Sequence, residues 1–227
     1  MAPPLGTKRV AEKMPTGDGK RRRIAHADPK RTSVVKQLGR GVTGAVYHVK
    51  HDIAIKEDDP SIDKNFKAFK VEKDAFEILQ DIEGLRGRIP AYFGEQISIT
   101  TNTKGDSNYK ALGLEFVEGE TLFNRQRRYG LRYGELGRIW EALKMTLEIL
   151  HEAGVTHADT HSNNVMIRCS VSDSARPIEE RVVLIDFSHS ELRSNVRAGE
   201  PWQKRKEADF NQLESSMKRM AERPRIS

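Results

Sequence analysis

Asp159 and Asn164 stand five residues apart in the stretch HADTHSNN, residues 157–164, with two histidines beside them. A carboxylate so placed could accept the proton of an attacking hydroxyl. An amide oxygen on the same turn could bind a metal ion. Asp186 ends the apolar run LIDF and offers a second oxygen ligand from a separate segment. Two such oxygens next to phosphates suit Mg²⁺, which takes few protein ligands and keeps its waters. Each residue alone also has a plainer reading, as a turn former or a cap.

Upstream, LGRGVTGAV carries Gly39, Gly41 and Gly44 in a GxGxxG spacing. A strand follows it, which argues against a dinucleotide-binding strand–helix turn. A glycine-rich hairpin instead lets backbone N–H groups close over a nucleotide's phosphates. The alternative is a hairpin turn with no ligand. Lys56 ends IAIK twelve residues after Gly44. A lysine there is ordinarily a solvent-facing edge residue. Glu72, however, shares the helical face of Phe69, Phe76 and Leu79, so it is expected to be buried and to need a cation, whereas Glu77 faces water. Lys56 is the natural partner.

These residues need elements to hold them. SVVKQLGRGVTGAVYHVKHDIAIKE alternates β-branched runs with turn residues and predicts three antiparallel strands, turning at Gly39–Gly44 and Lys50–Asp52. FKAFKVEKDAFEILQDI predicts a helix with Phe66 on its apolar stripe. IPAYFGEQISITTN and YKALGLEFVEG predict two more strands. Leu136, Ile139, Trp140, Leu143, Leu147 and Leu150 form a long helical stripe that stops at Gly154. NVMI and RVVLIDF read as short strands. Phe210, Leu213, Met217 and Met220 recur at helical spacing after Trp202. A strand-rich half with one helix precedes a mostly helical half.

The chain has 227 residues, room for one ordinary domain or two small lobes. Its mean hydropathy is −0.66, and no apolar run approaches the roughly 20 residues of a membrane span. The start, MAPPLGTKRV, lacks the apolar stretch of a secretory signal, so no export and no membrane association are expected. Cys169 is the single cysteine and reads as a small buried or half-buried filler in a reducing compartment.

The net charge of +6 resides in residues 1–33, which hold nine basic and three acidic residues; residues 34–227 hold 30 of each. Basicity therefore describes the tail and not the body. The tail has few large apolar residues and no period, and is expected to be disordered. KRVAEKMPTGDGKRRR within it resembles a bipartite nuclear import signal, residues 8–23, read by an import receptor. Nuclear or nucleocytoplasmic localisation is the expectation, against a solvated tail that touches anionic surfaces weakly.

Across residues 35–190 the chain resembles the protein-kinase superfamily. LGRGVTGAV is similar to its glycine-rich loop, IAIK to its lysine strand, and VEKDAFEIL, with Glu72, to its helix C. LEFVEGETL resembles the hinge, HADTHSNN the catalytic loop, and IDFS the metal-binding segment. The resemblance implies an α+β, two-lobe fold. Its N-lobe, 34–117, is a five-stranded antiparallel sheet with one helix, and its reduced, mostly helical C-lobe is 118–227. It also implies ATP and Mg²⁺, with Asp159 as catalytic base and Asn164 and Asp186 on the metal. Lys56 would grip the phosphates, oriented by Glu72. Val46, Ala54 and Met166 would sandwich adenine, with Leu114 as gatekeeper and the backbone of Glu115 and Val117 facing the base.

The departures shape the expected function. Ala158 stands where many kinases have arginine, so the pocket that reads a phosphorylated activation loop is missing. His161 stands where Ser/Thr kinases carry lysine, an arrangement similar to aminoglycoside- and choline-type phosphotransferases, and could still stabilise the transferring phosphate. Ser188 replaces the glycine after Phe187 and stiffens that hinge. Only 41 residues follow Asp186, an economy similar to RIO-type kinases and to the kinase subunit of the tRNA-threonylcarbamoylation complex. One long helix there is expected to anchor the catalytic loop from below through Asp209. The reading is a minimal serine/threonine protein kinase acting on a protein hydroxyl, with an activating partner protein as a candidate requirement. The alternatives are a small-molecule kinase and a nucleotide-binding pseudokinase or adaptor.

Overall fold

The computed structural model describes residues 34–40, 44–49, 53–58, 63–97, 110–173, 175–196 and 201–222. The basic tail, Gly41 and the two turn centres at 41–43 and 50–52 lie outside these. Five strands form one antiparallel sheet: β1 (Val34–Arg40), β2 (Gly44–Val49), β3 (Ile53–Asp58), β4 (Tyr92–Ile97) and β5 (Lys110–Glu115), in the order β1-β2-β3-β5-β4. Cross-strand partners project to the same side of a pleated sheet. Val46 pairs with Lys56, Lys56 with Leu112, and Ala54 with Leu114, so all five line one face. Helix α1 (Asp63–Leu79) packs against β3 and β4. Its Phe69, Phe76 and Leu79 are buried, as the stripe predicts, and Glu72 is buried among them. The side chain of Phe66 lies outside the described residues. Fully burying one such phenylalanine stabilises by about 1.5–3 kcal/mol.

The second half is mostly helical: α2 (Leu122–Tyr129), α3 (Tyr133–Glu152) and α4 (Trp202–Ala221). Short strands punctuate it: β6 (Gly119–Thr121), β7 (Val155–Thr156), β8 (Val165–Arg168), β9 (Val182–Leu184) and β10 (Glu191–Leu192). β6, β8 and β9 form a small sheet, and β7 pairs with β10. α3 buries Leu136, Ile139, Leu143, Leu147 and Leu150, and α4 brings Leu213, Met217 and Met220 to the same core. α3 ends at Glu152, and Gly154 just past its cap has φ +80°, the left-handed conformation glycine adopts past a helix C-terminus. The architecture is α+β, a five-stranded sheet with one helix followed by a mostly helical half.

Sequence periodicity missed α2, β6, β7 and β10. α2 buries only Leu122, so it has no apolar stripe. What starts it is a cap: Thr121 Oγ1 accepts from the Asn124 N–H at 3.2 Å. Gly119 in β6 was also missed. A Cβ there would run into the Ile167 carbonyl oxygen, so β6 can approach β8 only as glycine. β9 ends at Leu184, two residues before Asp186, which leaves the strand with φ +67°. Cys169 is exposed rather than buried or half-buried. It follows β8 directly, where the chain turns outward, and its thiol donates to the Ile167 carbonyl at 3.2 Å.

Candidate active site

Lys56 reaches across from the sheet and makes two ion pairs. Its Nζ lies 2.7 Å from Glu72 Oε2 and 2.7 Å from Asp186 Oδ1. Burial opposes the lysine's charge, but the two carboxylates outweigh it and hold its pKa above the ordinary value. Burial likewise pushes the Glu72 carboxyl up, against the pull of Lys56 and of the Phe187 N–H, which donates to Oε1 at 3.2 Å. Asp186 moves the other way. Burial would raise it, but the Lys56 ammonium and Ser188, whose N–H (3.3 Å) and Oγ (2.7 Å) donate to Oδ1, hold it well below the usual carboxylate range. Asp186 is ionised and aimed. Its left-handed φ is strain of the kind that gathers at functional sites. Phe187 beside it is fully buried between Phe76 and His157, with ring centroids at 5.1 and 4.8 Å.

Asp159 and Asn164 face each other inside their loop. Asn164 Nδ2 donates to Asp159 Oδ2 at 2.8 Å and to the Asp159 carbonyl at 3.0 Å. These bonds fix which way the amide points and leave Asn164 Oδ1 as the oxygen available to a cation. His161 Nε2 is 3.3 Å from Asp159 Oδ2, and its Nδ1 accepts from the Asn163 N–H at 3.2 Å, so the proton of the neutral ring sits on Nε2. His189, which the sequence reading did not single out, approaches the same oxygen at 4.0 Å. Among the described residues no group of three or more His, Cys, Asp or Glu could hold a metal unaided. An ion held by Asn164 Oδ1 and Asp186 would complete its shell with phosphate and water, the habit of Mg²⁺. The donor set fits.

Under the loop lies α4. Asp209 Oδ1 accepts from the Ala158 N–H at 2.7 Å; Oδ2 accepts from the His157 N–H at 2.9 Å and lies 2.8 Å from His151 Nε2. Thr160 donates through N–H to Gln212 Oε1 (2.7 Å) and through Oγ1 to the Asp209 carbonyl (2.8 Å), and the Ser162 N–H reaches Ser216 Oγ (3.1 Å). The anchoring expected of Asp209 is present, with Gln212 and Ser216 as further anchors. Together they hold Ala158 at φ +59°, where alanine is strained.

His157 is buried, its Nε2 donating to the Ile185 carbonyl at 3.0 Å and its Nδ1 accepting from the Asp159 N–H at 3.3 Å. Burial lowers its pKa although Asp209, Asp186 and Asp159 oppose this. A depressed histidine binds its proton in the unfolded state first. Stability is therefore complete above the ordinary value of 6.5 and falls as pH drops through it. Thermal unfolding midpoints should decline from neutral pH towards pH ~5, and His157→Phe, whatever its own midpoint, should flatten that limb.

The nucleotide-facing candidates divide between sheet and connection. Ala54, Leu114 and Val117 are buried, Val46 and Met166 half-buried, and Gly39 and Gly44 sit at the facing ends of β1 and β2. The N–H of Glu115 donates to the Ala91 carbonyl at 2.8 Å, so only its carbonyl can meet a ligand. Its side chain does something the sequence did not reveal. Oε1 pairs with Arg168 Nη1 at 2.6 Å and Oε2 accepts from the Ala91 N–H at 3.1 Å, tying the sheet to β8 behind the connection.

A protein kinase domain matches residues 32–205, most of the chain. No curated protein matches it. The matched span holds Lys56, Glu72, Asp159, Asn164 and Asp186, while the anchors Asp209, Gln212 and Ser216 follow it on α4. Because that match spans well over half of the chain and takes in every one of the converging residues, the chain belongs to the protein kinase domain family and is a phosphotransferase of the kinase type.

Proposed function

We propose that the protein is a serine/threonine kinase that transfers the γ-phosphoryl group of Mg-ATP to a protein hydroxyl. The observation that carries this reading is the convergence of Lys56 on both Glu72 and Asp186 at 2.7 Å. That pair of contacts supplies a rigid cation and a metal-ready carboxylate together. Mg-ATP, when bound, supplies the phosphoryl group and the metal's positive charge. Asp159 accepts the acceptor's hydroxyl proton, and Asn164 keeps that carboxylate turned towards it. Asn164 Oδ1 and Asp186 would hold the ion. Lys56, oriented by Glu72, neutralises phosphate charge, and His161 donates to the transferring group. Gly39, Gly41 and Gly44 would close over the phosphates, and Val46, Ala54, Leu114 and Met166 would enclose adenine, with the Glu115 carbonyl and the Val117 backbone at its edge. The basic residues 8–23 would engage an import receptor, which supports work in the nucleus.

Transfer of labelled γ-phosphate to a serine- and threonine-bearing protein is the test, read beside two variants of Lys56. Lys56→Met should abolish transfer and also strand Glu72 as an unpaired buried charge, which costs about 3–5 kcal/mol of stability. Lys56→Arg keeps the charge but not the compact head group. Its unfolding midpoint should stay nearer that of the wild type while transfer is lost. Full transfer by Lys56→Arg would refute the role given to this lysine. Labelling of a small hydroxylated molecule in place of protein would favour the small-molecule alternative.

A further inference from the structure

Basic and acidic residues balance in the body of the chain but are not spread evenly. Between Leu122 and Arg138 stand five arginines (Arg125, Arg127, Arg128, Arg132 and Arg138), no lysine, and one acid, Glu135. Glu135 is engaged with the backbone, accepting from the Arg132 N–H at 2.9 Å. Arg125 and Arg128 both pair with Glu120, at 3.3 and 3.5 Å, and Arg138 with Glu179. Arg127 and Arg132 are exposed, and among the described residues no acidic side chain lies within ion-pair distance of either. Two large tyrosines lie in the same patch, Tyr129 at 64% and Tyr133 at 87% exposure. The Tyr129 ring is flanked by the guanidinium groups of Arg125 and Arg128, each 5.9 Å from its centroid.

The corner that carries them is rigid. Gln126 donates to the Met220 carbonyl at 3.1 Å and accepts from the Leu131 N–H at 2.6 Å. This pins the α2–α3 turn to the end of α4, where Arg219 is also exposed and Lys218 is paired with Glu214 at 2.7 Å. An ordinary solvated helix face mixes both signs and pairs them at i,i+4. The 122–138 segment is rich in arginine and tyrosine, the types enriched where proteins meet, and holds no lysine, which is depleted there. Arginine's planar fork matches a carboxylate with two parallel bonds.

The patch is also coupled to the active site. The Phe123 N–H, in the first turn of α2, donates to the Ser162 carbonyl of the catalytic loop at 3.1 Å. From there to Tyr129 the helix rises about 9 Å, which an extended chain covers in about three residues. We propose that the α2–α3 corner is the docking surface for an acidic segment of the protein acceptor, a few residues away from the hydroxyl that receives phosphate. This rests on the protein-kinase reading above and names its substrate class.

Serine peptides flanked on both sides by acidic, neutral or basic blocks would be phosphorylated by the full chain, and the same peptides, labelled, would be titrated for binding by fluorescence anisotropy. The acidic peptide should show a kcat/KM about tenfold above the neutral one, the worth of a few exposed charge pairs, and the margin should shrink with salt. Arg127→Glu/Arg132→Glu should erase that preference with the neutral peptide's rate as internal standard, and Tyr129→Ala should weaken acidic-peptide binding. No preference in the wild type, or a preference that survives the double variant, overturns the proposal. If no peptide is phosphorylated at all, the protein-acceptor reading fails, and anisotropy still decides the docking surface. Acidic-peptide binding lost in the double variant upholds it. Selective binding of a single-stranded oligonucleotide over the acidic peptide overturns it in favour of nucleic acid.

Discussion

Asp159→Asn is expected to lower the rate of phosphoryl transfer by about a hundredfold to ten-thousandfold, the usual share of a positioned general base. The substitution is nearly isosteric, and the loop should keep its shape. Its anchors are backbone N–H groups on Ala158 and Thr160 that bond to Asp209 and Gln212, not to the Asp159 side chain. ATP affinity and the unfolding midpoint should therefore stay close to wild type while turnover collapses. The amide cannot accept a proton from a hydroxyl, and it sets an NH₂ among donors where the carboxylate accepted from Asn164 Nδ2. Steady-state turnover, nucleotide binding by calorimetry and a melting curve on one preparation would separate these effects. Undiminished turnover would exclude Asp159 as the base.

The second large effect is structural in origin. Asp209→Ala removes a side chain that accepts two backbone N–H groups and faces a buried histidine, all from the segment that leads into Asp159. A buried donor left without a partner costs about 1–3 kcal/mol. With two N–H groups and the His151 ring stranded, a loss of about 3–5 kcal/mol is expected, a large part of a typical domain's 5–15 kcal/mol. At about 2–4 °C per kcal/mol for a chain of this size, the midpoint should fall by roughly 10 °C. Transfer should fall as well, because Ala158 holds its left-handed φ only while its N–H is bound. Asp209→Asn, which retains one acceptor oxygen, should lie between wild type and alanine in both measurements. If the alanine variant melts and turns over like the wild type, α4 does not brace the loop.

These two residues differ in how they could be read in advance. Asp159 stood out because an acid, an amide five residues on and two histidines are crowded into one loop between apolar segments. Glu72 stood out because an acid had taken a place on an apolar helical stripe, and its partner followed from the cost of burying it alone. Asp209 was expected to brace the loop only through the family resemblance, and no local pattern around it named the groups that it holds. The three donors that it serves lie between 51 and 58 residues away, and sequence spacing does not encode such a distance. His157 gave no local signal of its burial. The exposure of Cys169 went against its type, because a cysteine just past a strand end follows the chain outward. The Glu115–Arg168 pair joins two strands through the space behind their connection, and nothing in either local pattern points to the other.

What the amino-acid sequence determined by itself was the set of elements long enough to show a period, and the identity of residues whose chemistry conflicts with their neighbours: the buried acid, the lysine facing it and the crowded polar loop. Local propensity and hydrophobic patterning act over one or two turns or one strand, so such features announce themselves over that range. Tertiary structure alone decided the rest. It set the left-handed turns at Ala158 and Asp186, the close approach that requires Gly119, the short strands β6, β7 and β10, and α2 with its outward-facing arginines and tyrosine. Each depends on partners brought from far along the chain, and the free energy that stabilises it exists only once the core has closed.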